Sequence, residues 1–125
     1  MDEMKSNPWV KKAENDLHAA QVLLHSNKLL PDIVCFHCQQ YAEKLLKSVL
    51  YSYDADIPRT HDLSYLLKLI NEKHPLQERL FELVEIIGDY SVAVRYPFAL
   101  EEPTQEDAEA AYDAALEIAK LLGVN

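Results

Sequence analysis

Apolar positions recur at helical spacing along almost the whole chain, and prolines mark the places where the pattern restarts. Asn7-Pro8 reads as an N-cap followed by proline at the first helical position. Beyond it Trp9, Ala13, Leu17, Ala20 and Leu24 form one apolar stripe, predicting a helix to about His25. Pro31-Asp32 opens a second helix. Its seam of Cys35, Cys38, Ala42, Leu45, Leu46, Val49 and Tyr53 is the longest in the sequence. The stretch Asp54 to Arg59, with Pro58, breaks that seam. Thr60 is then expected to cap a short third helix carrying Leu63, Leu66, Leu67 and Ile70. A fourth is expected to start at Pro75 and to face Leu76, Leu80, Leu83, Ile87, Tyr90 and Val94 inward until Pro97 ends it. Pro103-Thr104 starts the last helix, with Asp107 placed for a capping box. Ala108, Ala111, Tyr112, Ala115, Ile118 and Leu122 are buried and Gly123 is the stop. No stretch alternates apolar and polar residues for long. The expected fold is an all-α, four- to five-helix, mostly antiparallel up-down bundle, a single domain over 1–125 with residues 1–7 as a flexible lead-in.

Composition narrows the function more than the fold. Two glycines in 125 residues leave no room for a Gly-rich phosphate loop. The apolar runs are too short to span a bilayer and Met1 to Ser6 does not resemble a signal peptide, so no membrane association and a cytoplasmic location are expected. Acidic residues outnumber basic ones 21 to 12, for a net charge of −9, which disfavours a grip on duplex DNA through its phosphates. An acidic surface instead suits a basic partner. Stripes on every helix, and apolar residues spread around the second, predict more apolar surface than one bundle hides, and hence a homodimer.

The second helix carries the arguable chemistry. Gln39, Gln40, Glu43, Lys44 and Lys47 lie on its polar flank, which reads either as a solvated face or as one wall of a site. Glu43 and Lys47 have the i, i+4 order of a helix salt bridge and need no ligand to explain them. Cys35 and Cys38 have CxxC spacing, but no second cysteine pair accompanies them and His37 points to the wrong side to join both sulfurs. Two buried thiols are expected, with no metal and no cofactor.

The run Cys35-Phe36-His37-Cys38-Gln39-Gln40-Tyr41-Ala42-Glu43-Lys44-Leu45-Leu46-Lys47 resembles the central helix of HEPN (higher eukaryotes and prokaryotes nucleotide-binding) proteins, with their aromatic-His-x-x-Gln-x-x-Glu-Lys pattern. Thr60-His61-Asp62-Leu63, followed by Leu66-Leu67, resembles the family's next segment, and Arg95-Tyr96-Pro97 its fourth-helix terminus. The resemblance extends from Trp9 and the Asp16-Leu17 pair onward. It implies a dimeric module that binds a nucleotide or RNA and works beside a small nucleotidyltransferase, as the toxin-antitoxin-like or accessory half of a two-gene system. The binding residues it points to are Gln40, Lys44, His61, Asp62, Arg95 and Tyr96. Many relatives are metal-independent ribonucleases with a histidine four to six residues after the arginine. Here Tyr96 to Glu102 contains none, so the base that would take a proton from a ribose 2′-hydroxyl is missing. Arg95 holds a phosphate but cannot shuttle protons. That departure argues against an enzyme. The alternatives are an endoribonuclease with a non-standard Arg95/His61 site, or a purely structural helical dimer. Arg95, Asp62 and the nearby Tyr90 also have plain structural readings, whereas His61 stays open. Arg95 suits the negative end of a helix, Asp62 the positive end, and Tyr90 the core.

Overall fold

Asn7 caps the first helix: its side-chain oxygen accepts from the Trp9 amide at 2.9 Å, and its side-chain amide donates to the Ser48 carbonyl at 3.0 Å. The computed structural model describes residues 7–88 and 102–124. Five helices lie within them: α1 (Pro8–Leu24), α2 (Pro31–Ser52), α3 (Leu63–Lys73), α4 (Glu78–Ile87) and α5 (Gln105–Leu122). No strand occurs among the described residues. The Asn7–Ser48 bond joins the start of α1 to the far end of α2, while Asp16 meets His37 nearer the other end. Those two ties make α1 and α2 antiparallel.

The long second helix is the axis of the bundle, and α1, α3, α4 and α5 all pack against it. Val34, Cys35, Cys38, Ala42, Leu45, Leu46 and Leu50 are all essentially inaccessible. The core continues through Leu66, Leu67 and Ile70 of α3, Leu80, Leu83 and Ile87 of α4, and Ala108, Ala111, Ala115 and Ile118 of α5. The alanines of α5 present little bulk, which lets a neighbouring helix approach at the short end of the usual range. Within α2, Ile33 and Phe36 are only partly buried by the single chain. Only Tyr51 and Tyr53, at the helix end, stay exposed.

The helix ends follow local chemistry, in three places differently from the sequence expectation. Asp62, not Thr60, caps α3 by accepting from the Tyr65 amide at 3.1 Å, and the Thr60 hydroxyl supports it by accepting from the Asp62 amide. The fourth helix starts at Glu78 rather than Pro75, because Gln77 keeps an extended backbone (ψ 138) as its N-cap, and the Leu76 amide before it donates to Asn71 Oδ1 at 2.7 Å. It ends at Ile87, where Gly88 adopts φ 65, and so does not run unbroken to Val94. Tyr90, Val94 and Pro97 lie outside the described residues. At α5 the Thr104–Asp107 capping box is present in both directions, and Gly123 takes the left-handed conformation.

The end of α2 uses the same left-handed device without a glycine. Asp54 has φ 56, the Ala55 amide reaches back to the Leu50 carbonyl at 3.1 Å, and the Asp54 amide reaches the Tyr51 carbonyl at 3.0 Å. A residue with a Cβ pays for that conformation and glycine does not. Asp54→Gly is therefore expected to raise stability by about 0.5–1 kcal/mol, read as an upward shift of the urea midpoint at unchanged slope.

Candidate functional site

The polar flank of α2 is not a solvated face. Gln39 is wholly buried, Glu43 and Lys47 nearly so, and the three residues lie one turn apart along the helix. Burying a carboxylate and an ammonium is tolerable only when both are paired and hydrogen-bonded. That requirement explains the network. Glu43 Oε2 accepts from Lys47 Nζ at 3.0 Å, which is the salt bridge expected from sequence, but sealed from water. The Lys47 ammonium also stands 5.5 Å from the centre of the Trp9 ring. Glu43 Oε1 lies 2.7 Å from His61 Nδ1 and receives longer contacts of 3.5 Å from the Gln39 and Gln40 amides. Gln39 donates in addition to the His61 carbonyl at 2.9 Å, and Gln40 donates to Gln39 Oε1 at 2.8 Å.

His61 is thus fixed at two points, ring and backbone, although it sits on a loop. Its side chain is 47% exposed while that of Glu43 is only 5% exposed, so the imidazole bridges the interior and the surface. It lines a groove of about 500 Å³ together with Thr60, Asp62, Ser64, Val84, Glu85 and Gly88. Asp62 and His61 therefore share one groove, Gln40 is linked to it through Glu43 and Gln39, and Asp62 also has its capping duty.

Lys44 belongs to a different cluster. Its ammonium is paired with Asp16 Oδ2 of α1, and His37 Nδ1 lies 2.9 Å from Asp16 Oδ1. The expected grouping of Lys44 with His61 is replaced by two adjacent clusters, one against α1 and one against the loop before α3. Arg95 and Tyr96 lie outside the described residues. Burial raises the Asp16 carboxyl, but the hydrogen bonds from His37 and Lys44, with their charges, outweigh it and hold the group below its ordinary 3.8. A depressed folded value means that the Asp16 contribution is complete above that pH and disappears as pH falls through the lower folded value. The stability gap between the wild type and Asp16→Asn, measured by urea unfolding, is expected to be widest near neutrality and to close below about pH 4.

Cys35 and Cys38 are fully buried, as the CxxC reading expected, and burial, with Cys35 adding, pushes the Cys38 thiol up to about 12. Such a thiol stays protonated and makes a poor ligand or nucleophile. No group of three or more metal-binding side chains occurs among the described residues. Asp16, His37, Gln39 and Glu43 belong to these clusters although they are not among the binding residues expected from sequence. Asp16 had a legible signal, since it falls between Ala13, Leu17 and Ala20 on the side of α1 that turns inward.

Comparison with known proteins places this geometry in a family. The model of the HEPN domain matches residues 6–124. A protein of Methanocaldococcus jannaschii named "Putative toxin MJ1304" is 35% identical, over 81% of this chain and 74% of that protein. Among solved structures, TT1696 from Thermus thermophilus superposes with a TM-score of 0.81 at 26% identity, covering 98% of both chains. ST0689, described as an archaeal HEPN homologue, gives a TM-score of 0.72 at 25% identity and covers 92% of both.

Proposed function

The chain belongs to the HEPN domain family, and from that premise we propose that it is the nucleotide- or RNA-binding half of a toxin-antitoxin-like pair, working as a homodimer beside a small nucleotidyltransferase. The observation that carries the binding role is His61, a half-exposed imidazole held by a buried carboxylate at the rim of a polar groove. Loop residues are fixed this firmly where orientation matters, since holding them costs conformational freedom. The groove supplies Asp62 and the Thr60 and Ser64 hydroxyls for polar contacts. In this reading Arg95 and Tyr96 add a phosphate contact and a stacking surface. Lys44 serves by bracing α1 against α2 through Asp16 rather than by touching the ligand. The toxin name of the archaeal relative supports the two-gene context.

A ligand that binds only the folded chain raises its melting temperature. A short oligoribonucleotide at millimolar concentration is expected to do so for the wild type, and much less for His61→Ala. No rise in the wild type would leave only a structural helical dimer. A second reading, metal-independent RNA cleavage, draws on the same His61–Glu43 pair, because a carboxylate-held imidazole is a serviceable base. Cleavage of labelled RNA that resists chelator and disappears in Arg95→Ala would move the assignment there.

A further inference from the structure

We infer that a second copy of this chain seats on the tip of the α1–α2 hairpin, over an apolar face centred on Leu29, Ile33 and Phe36, with Lys28 of each copy set against Asp32 of the other. The inference rests on the homodimer in the reading above and assigns it a surface.

The first support is apolar surface that the fold leaves over at one place. Asp16 of α1 meets His37 of α2, and the two helices run antiparallel. Ala19 and Leu23 follow Asp16 on the same side of α1, while Ile33 precedes His37 by one turn on the same side of α2. These residues therefore border one seam at the hairpin tip. All three are only partly buried, and so is Phe36, one turn on from Ile33. Neither Ile33 nor Phe36 joins the core cluster of the described residues. The Phe36 ring stands edge-on to His37, with centroids 5.4 Å apart. Leu29, in the connection between the helices, is 58% exposed, the highest value among the large apolar residues described. The connection itself is held: the Ser26 amide reaches the Leu23 carbonyl, and the Ser26 hydroxyl accepts from the Lys28 amide, both at 3.2 Å. Apolar side chains gathered on a fixed surface, unlike single ones scattered over it, mark a contact region.

Charge selects the occupant. At a net charge of −9, two copies repel one another over most of their surfaces. Between Asp16 and Glu43, however, the sequence holds one acidic residue, Asp32, and one basic residue, Lys28, so the tip is formally neutral. Neither side chain forms an ion pair among the described residues. A two-fold contact sets residue i against j and j against i, so one cation and one anion on the same face pair twice. The exposed aliphatic residues of α4 and α5 lack this property. Ile86 lies next to Glu85 and one turn from Glu82, and Leu116 lies next to Glu117 and one turn from Asp113. Two copies meeting there would oppose carboxylate to carboxylate. A basic partner is drawn to those acidic faces rather than to a neutral one.

Sedimentation velocity of the full chain over a micromolar concentration series tests the assignment. The wild type is expected to be a dimer. Leu29→Glu is expected to weaken it about a hundredfold, because each copy loses a leucine contact at once. Its helical circular dichroism is expected to stay that of the wild type, since the position is an exposed loop. Leu116→Glu, another exposed leucine made acidic, is expected to leave the dimer intact. Lys28→Glu sets acid against acid and is expected to loosen the dimer, and adding Asp32→Lys exchanges both signs and restores it. A wild-type dimer that survives Leu29→Glu, that Leu116→Glu dissociates, or that the exchanged pair does not restore overturns this face while the homodimer stands. A wild type found only as a monomer removes the homodimer, and the inference with it.

Discussion

Replacing Glu43 by alanine is expected to destabilise the chain by about 3–5 kcal/mol, the penalty for stranding one partner of a buried ion pair. The side chains of Glu43 and Lys47 are only 5% and 8% exposed, so water cannot stand in for the missing carboxylate. Gln39 and His61 lose an acceptor in the same step. Because a domain is typically stable by only about 5–15 kcal/mol, a large part of the folded population is at stake. The cause is an uncompensated ammonium rather than a lost attraction, and this can be separated experimentally. Glu43→Leu combined with Lys47→Met is expected to recover most of the loss, since well-packed apolar residues often replace a buried pair at little cost. Urea unfolding of the two single variants and the double variant makes the comparison. Strict additivity of the single losses would show that the two side chains act independently.

Leu45→Ala is expected to cost about 2–5 kcal/mol by deleting buried methyl groups and leaving a cavity. Leu45 is 1% exposed on the helix that every other helix packs against. Tyr51→Ala, on the same helix but half-exposed, serves as the control and is expected to stay within about 0.5 kcal/mol of the wild type. Similar losses at both positions would mean that α2 is not the buried axis.

Periodicity in the sequence exposed the helices because each has one stripe to bury, and α1, α2 and α5 start where Pro8, Pro31 and the Thr104–Asp107 box place them. It misplaced the start of α4 because Gln77 stays extended as the N-cap and Asn71 holds the Leu76 amide in the preceding turn, neither of which apolar spacing encodes. It overran the helix's end because the stripe continues past Gly88, whereas the backbone there takes a positive φ. The site was half legible. His61, Asp62, Gln40 and Lys44 were identified as polar side chains in a familiar pattern. Their partners could not be assigned, since a helical wheel shows Glu43 and Lys47 as an outward salt bridge and only packing reveals that the flank is sealed. The same limit hid the division of labour: adjacent residues on a helix point about 100° apart, so Glu43 turns to the loop holding His61 while Lys44 turns to Asp16 on α1.

The central claim is that ligand meets this protein at the carboxylate-held imidazole, and titration of ¹⁵N-labelled chain with a short oligoribonucleotide tests it directly. The account predicts that the earliest shifts fall on the His61 ring and on the amides of Thr60, Asp62, Ser64, Glu85 and Gly88. Shifts concentrated instead around Asp16, His37 and Lys44, with His61 silent at saturation, would contradict it.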